Sequence, residues 1–330
     1  MAAKFDVVAI GNAMVDVISN ESFDTLHKLG LDPGSMSLVD AKRIADLYAV
    51  LGPATEASGG SAANTIAGVA SFGGTAAFIG RVADDDFGRI YAHDLRSIGV
   101  HFDSPTALEG SAPTGRCLVI VTPDAERTMS TFLGAGTELD PSFVDETIIA
   151  DAQVLYLEGY LWDQPAAMEA FRLAASVAHG AGRKVALSLS DSFCVDRHRV
   201  AFLELVVSDV DILFANDAEI TALYETDDFD AAVAAVRGHC EVAAITRGAQ
   251  GSVVVTADAT QHVGAAPVDK LVDTTGAGDL YAAGFLFGYT HGRDLATCAK
   301  LGGVAAAEVI SHIGARPLVP LESLAVSLLA

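Results

Sequence analysis

The sequence predicts an α/β protein built on a mostly parallel sheet, with a small β element standing apart from it. Two observations lead there. Short apolar or β-branched runs alternate with longer helical patterns along most of the chain, the mark of repeated βαβ units. One segment, between Val100 and Leu133, breaks the alternation with a hairpin that has no crossover helix. Size supports both: a chain of 330 residues buries roughly 75% of the surface its unfolded form exposes, so the fold needs no disulfide or structural metal.

Taken in order, Phe5 to Gly11 reads as the first strand, and residues about 31 to 40 (LDPGSMSLVD) as a strand of the smaller β element. A helix from Ala62 to Phe72, a strand from Thr75 to Val82 and a helix from Asp86 to Ile98 follow. The hairpin pairs Cys117 to Val121 with Arg127 to Phe132 across the turn Thr122-Pro123-Asp124-Ala125. It reads as a lid over an active site; the alternative is an antiparallel edge of the main sheet. Strands at Val154 to Glu158, Lys184 to Leu189, Asp211 to Ala215 and Val242 to Arg247 are bracketed by turn residues. Between them lie helical patterns at Gln164 to Gly180, Asp196 to Val207, Asn216 to Tyr224 and Phe229 to Arg237. Two Ala-rich helices, Gly276 to Thr290 and Leu295 to Ile310, complete the chain. No linker, low-complexity tract or repeat divides it, so residues 1–330 read as a single domain with a discontinuous lid from about 31–40 and 103–134.

Composition narrows the function. Hydrophobic residues make up 51% and charged ones 19%, which excludes a disordered polyelectrolyte. The formal charge of −23 is opposite in sign to the footprint of a nucleic-acid binder and argues against nucleic acid or an anionic membrane as partner. Cys117, Cys194, Cys240 and Cys298 are widely spaced, without a CxxC pair, and read as small buried hydrophobes in a reducing compartment. The amino terminus runs straight into a strand without the pattern of a signal peptide, and no 18-residue uncharged apolar stretch occurs. The expectation is a cytoplasmic protein, monomer or homodimer, whose partners are small molecules.

The segment Asp273-Thr274-Thr275-Gly276-Ala277-Gly278-Asp279 carries the most chemistry. Its small residues let backbone N–H groups converge, and the helix beginning there adds its positive dipole end, together an anion site. Asp279 would repel a phosphate as a ligand but makes sense as a base. It would take the proton of a hydroxyl nucleophile while the amides of Gly276, Ala277 and Gly278 stabilise the transferring group. The plain alternative is an acidic first-turn residue at a glycine-rich helix entry. A second segment, Ser58-Gly59-Gly60-Ser61-Ala62-Ala63-Asn64, opens another helix, and Asn64 offers a donor and an acceptor to vicinal hydroxyls. Asn12 and Asp16, in Gly11-Asn12-Ala13-Met14-Val15-Asp16, lie just beyond the first strand, where open α/β sheets bind ligands. Each of these alone is more often a turn former. The run Asp84-Asp85-Asp86 reads as a solvated turn and helix cap, and Trp162 as packing.

Together, GGSAAN with the downstream GRVADDDFG, and DTTGAGDLYAAG, resemble the two signatures of the ribokinase-like or PfkB carbohydrate and nucleoside kinases, in the same order and over nearly the whole chain. The resemblance implies a three-layer αβα sandwich with a mostly parallel central sheet and a β lid. It also implies ATP as phosphoryl donor, Mg²⁺, and in many members a monovalent cation such as K⁺. By that resemblance Asp279 is the base, Gly276 to Gly278 the anion hole, and Asn12, Asp16, Gly59, Gly60 and Asn64 the acceptor site. Asn216 and Glu219, in Asn216-Asp217-Ala218-Glu219, match an NxxE element that organises Mg²⁺ through water. Thr246, Gly248, Gly251 and Thr275 fall on the nucleotide side, and Asp273 at the monovalent cation. Within the family, GNAMVDVI and the lid stretch PTGRCLVIVTPDAERTMSTFLGAG resemble the adenosine kinase branch. That places Arg127 over the phosphates and Phe132 against a purine, with simple lid core as the alternative for Phe132. The acceptor implied is the 5′-OH of adenosine, giving AMP; the alternatives are a sugar such as fructose, ribose or 2-keto-3-deoxygluconate, and more remotely a non-catalytic sensor. A dinucleotide dehydrogenase fails because no GxGxxG follows the first strand, and a P-loop NTPase because GxxxxGK[ST] is absent.

Overall fold

The computed structural model describes residues 3–107, 110–124 and 126–329. The predicted turn residue Ala125 and the lid positions Leu108 and Glu109 lie outside the described residues. The strands are, in order, β1 (Phe5–Ile10), β2 (Met14–Asn20), β3 (Met36–Leu38), β4 (Ala54–Gly59), β5 (Ala76–Ile79), β6 (Gly115–Val121), β7 (Arg127–Phe132), β8 (Ala152–Glu158), β9 (Lys184–Ser188), β10 (Ile212–Asn216), β11 (Val242–Thr246), β12 (Ser252–Val255) and β13 (Thr260–Val263). They form two sheets. The larger, of eight strands, runs β13-β12-β11-β10-β9-β8-β1-β5, parallel from β11 to β5 with β12 and β13 antiparallel at one edge.

Its parallel strands are buried on both faces, as their near-continuous apolar sequences require. Period-two alternation sorts their side chains into two cores. Val7, Ala9, Ala186, Ile212 and Phe214 face helices Ser61–Ser71, Ala277–Thr290 and Leu295–Val309. Val8, Ile10, Val185, Leu187 and Leu213 face helices Pro165–Gly180, Ser192–Ser208 and Phe229–Val236. The result is the three-layer αβα sandwich. Trp162 is buried in the second core, stacked on Phe202, as packing. Among the described residues no helix is long and apolar enough to cross a membrane.

The hairpin β6–β7 belongs to a second sheet of five strands, β3-β7-β6-β2-β4, and is not an edge of the first. That sheet also draws on two segments the sequence reading left outside the lid. Residues 14–20, just beyond β1, form β2, paired parallel with β6 and antiparallel with β4 (residues 54–59). Along β2 burial alternates between intermediate and buried, but the residues do not: Ser19 is buried while Met14 and Ile18 are partly exposed, so the apolar pattern does not give the period. The helix expected from Asp196 begins earlier, at Ser192, because Asp191 caps it by accepting from the N–H groups of Phe193 and Cys194.

Candidate functional site

The site lies where the carboxyl ends of the parallel strands meet the lid, the position an open α/β sheet reserves for ligands. β1 delivers Asn12, β8 delivers Glu158, and β10 delivers Asn216, directly in register with Thr246 at the end of β11. Asp16 extends from β2 of the lid.

Asp279 stands in the first turn of helix Ala277–Thr290, whose N terminus has no side-chain cap. Gly276 supplies the entry at φ 78°, and a Cβ there would lie 2.8 Å from that of Ala315, so glycine is required both by conformation and by space. A Cβ on Gly278 would meet nothing within 4 Å, so the loop's backbone is open to an approaching group. The Asp279 carboxylate accepts hydrogen bonds from Ser61 Oγ (2.6 Å) and Asn64 Nδ2 (3.0 Å). The two glycine-rich motifs, far apart in the chain, thus meet on one carboxylate. Burial raises the Asp279 pKa above the ordinary aspartate value, while the bonds from Ser61 and Asn64 and the charge of Arg316 oppose the rise.

Asn12 donates through Nδ2 to Glu158 Oε1 (2.7 Å). Glu158 Oε2 accepts from the N–H of Ala62 (2.8 Å) and from that of Asn12 (3.3 Å), tying the end of β1 to the start of helix Ser61–Ser71. Desolvation pushes Glu158 up to about 7 against these donors, and Asp16 up to about 6 against the charges of Arg316 and Arg127. Gly59 leaves room for Asp16, because a Cβ there would lie 2.4 Å from the Asp16 Oδ2. Gly60, at φ 98°, starts the Ser61–Ser71 helix. Two buried acceptors, Asn12 Oδ1 and Asn64 Oδ1, have no partner. A buried oxygen of this kind costs about 1–3 kcal/mol unless a donor arrives, so both oxygens are able to accept from a hydroxyl group.

At the end of β10, Glu219 is buried and locked in a capping box: its oxygens accept from the Asn216 N–H (2.9 Å) and Nδ2 (2.7 Å), and its own N–H donates to Asn216 Oδ1. Burial lifts it to about 7. Gly248 (φ 52°) and Gly251 (φ 83°) shape the turn from β11 into β12, and a Cβ on Gly251 would meet the Val263 carbonyl at 2.1 Å.

Three further positions expected at the site have these surroundings. Asp273, expected at a monovalent cation, accepts from the N–H groups of Thr275 (3.0 Å) and Gly314 (3.0 Å) and forms an ion pair with Arg127. Arg127, expected over the phosphates, also donates from Nη1 to Thr275 Oγ1 (2.9 Å), which puts it on the glycine loop where that expectation has them. Phe132 is partly buried and packs against a cluster that includes the lid residues Val15, Val17 and Leu118. The acidic run behaves as a turn and cap: Asp85 accepts from the Gly88 N–H, while Asp84 and Asp86 pair with Arg89.

A family model described as pfkB family carbohydrate kinase matches residues 50–322. The chain belongs to the PfkB family. A solved structure of adenosine kinase from Sinorhizobium meliloti is 53% identical to this PfkB chain, with TM-score 0.90, covering 98% of this chain and 99% of that one. A probable sugar kinase protein from Rhizobium etli is 48% identical at TM-score 0.90, covering 98% of each. Adenosine kinase from Saccharomyces cerevisiae is 27% identical over 97% of this chain and 98% of its own. The PfkB chain is thus a phosphotransferase with an alcohol group as acceptor, a nucleoside or sugar kinase.

Sequence reasoning missed three residues of this PfkB site. Ser61 was in view inside GGSAAN but had no assigned partner. Glu158 ended a predicted strand and carried no motif. Arg316, whose charge acts on both Asp16 and Asp279, gives no local signal at all.

Proposed function

We propose that the protein transfers the γ-phosphoryl group of ATP to a primary hydroxyl of a nucleoside, the 5′-OH of adenosine, giving AMP and ADP. One observation carries the reading: a carboxylate, Asp279, sits at an uncapped helix N terminus beside a pocket of unpartnered acceptors. The acceptor's ring hydroxyls donate to Asn12 Oδ1, Asn64 Oδ1 and Asp16, which orients the reacting hydroxyl toward Asp279. Its proton passes to the Asp279 carboxylate, its oxygen forms the new bond to the γ-phosphorus, and the bond from that phosphorus to the bridging oxygen breaks, with the electron pair leaving on ADP. The open backbone at Gly276, Ala277 and Gly278 and the helix dipole stabilise the charge on the moving group. Arg127 is already on this loop and supplies positive charge there.

Mg²⁺ would neutralise the phosphate oxygens when bound. Glu219 fits a role through water, since both its oxygens are engaged by Asn216. A monovalent cation at Asp273 does not fit this arrangement, because the Arg127 guanidinium pairs with that carboxylate.

Adenosine is favoured by the 53% identity with the Sinorhizobium adenosine kinase. A sugar acceptor is the second reading: the Rhizobium relative is a probable sugar kinase. ADP release in the presence of ATP and Mg²⁺, with and without K⁺, against adenosine, inosine, ribose, fructose and 2-keto-3-deoxygluconate separates them. Adenosine turns over well above every sugar; a preference for ribose or fructose overturns the nucleoside reading.

The acceptor map makes a second prediction. Asp16→Ala and Asn64→Ala raise KM for the acceptor by about tenfold or more and leave KM for ATP within about twofold, as loss of uniform binding to one substrate requires. Equal damage to both KM values would contradict the map.

A further inference from the structure

The segment after the last long helix does more than end the chain. Gly314 donates its N–H to Asp273 (3.0 Å), and Ala315 is the residue that a Cβ on Gly276 would strike, so both touch the phosphate loop. The next residue turns the other way. Arg316 Nη2 donates to Ser58 Oγ (2.9 Å) at the end of β4, and its Nε is buried without a partner. Ser58 in turn donates its N–H (2.8 Å) and its hydroxyl to Asp94 on helix Asp86–Ser97. In the lid ladder Ser58 stands opposite Val15, one residue from Asp16, and it adjoins Gly59, which packs on the Asp16 carboxylate. Three consecutive residues therefore join the anion loop to the acceptor motif.

We propose that Arg316 is a positioning residue of the acceptor pocket: its guanidinium clamps the end of β4 through Ser58, next to the Gly59 that packs on Asp16, and so keeps that carboxylate in place to accept the acceptor's hydroxyls. The inference rests on the pocket assigned under Proposed function and adds a residue that touches no reacting atom. Asp16 is faced by Arg316 from the carboxyl-terminal segment, Arg127 from β7, Asp279 from helix Ala277–Thr290, Cys117 from β6 and Tyr91 from helix Asp86–Ser97. Of these only the two arginines are cations, and Arg316 opposes the desolvation of Asp16 more strongly than Arg127 does. A methionine at 316 removes the charge and the bond; a lysine keeps the charge but loses the planar fork.

The test uses the full chain with the acceptor preferred in the ADP-release screen. Arg316→Met raises KM for that acceptor at least about tenfold, leaves KM for ATP within about twofold, and moves the acid limb of kcat/KM for the acceptor upward. Arg316→Lys raises the acceptor KM less and leaves the acid limb where it is in the wild type. An Arg316→Met enzyme with unchanged acceptor KM and acid limb, or with losses shared equally by ATP and acceptor, overturns the proposal. If that variant does not fold, Arg316→Lys and Ser58→Ala decide: a raised acceptor KM in both supports it, wild-type values in both overturn it. Calorimetric Kd values for adenosine and ribose give the same comparison without turnover. Loss of the kinase reading, a wild type that releases no ADP with any acceptor, is thereby distinct from failure at residue 316.

Discussion

Asp279→Asn lowers kcat by at least ~10²-fold while leaving acceptor KM nearly unchanged, because general-base transfer contributes about 10²- to 10⁴-fold and an asparagine cannot take the proton. The site explains why binding survives. Ser61 and Asn64 each donate to the 279 side chain, and asparagine retains one acceptor oxygen, so the helix entry and pocket stay in place. The wild-type acid limb adds a check on sign. The base works only when ionised, and burial raises its pKa, so kcat falls as pH drops through a value above the ordinary aspartate range. In Asp279→Asn that limb disappears from the residual rate. Steady-state kinetics across pH measure both, and turnover close to wild type in the variant would sink the assignment of the base.

Glu158→Ala destabilises the fold by at least about 3 kcal/mol and weakens acceptor binding together with it. Three donors, Asn12 Nδ2 and the N–H groups of Asn12 and Ala62, lose their acceptor in a buried place. The effect depends on pH in a defined direction. The Glu158 pKa of about 7 in the fold exceeds its ordinary 4.5. The group's stabilisation is therefore complete below about pH 4.5 and lost as pH rises through about 7. The gap in unfolding free energy between wild type and Glu158→Ala is accordingly larger at pH 5 than at pH 8. Urea unfolding at the two pH values measures it; a gap that widens at pH 8 refutes the account of Glu158.

Both predictions involve residues whose partners differ greatly in how readable they were. Asp279 and Asn64 stand in glycine-rich motifs whose local physics is explicit: helix entries at positive φ, first-turn polar groups, backbone left open. Neither β2, whose apolar Met14 and Ile18 lie on the less buried face, nor β4, Ala-Thr-Glu-Ala-Ser-Gly, shows an apolar alternation, and the two become strands by pairing with each other. Glu158 is one more residue at the end of an apolar run until Asn12 and Ala62 are brought to it. The Arg127–Asp273 pair joins the lid to the anion loop, and neither residue's neighbours in the chain point to the other.

By itself the sequence determined the alternation of strands and helices, the mostly parallel sheet, the hairpin, and the two loops where backbone approaches a ligand. Those properties are written in short-range terms, the period of apolar residues and the backbone freedom of glycine. Only the tertiary structure decided which strands build the lid, that Ser61 and Asn64 hold Asp279, that Glu158 ties Asn12 to Ala62, and that Arg316 reaches Ser58. The physical reason is that a parallel sheet aligns the ends of strands distant in the chain, so its site is assembled from residues whose single strong partners no local pattern reveals.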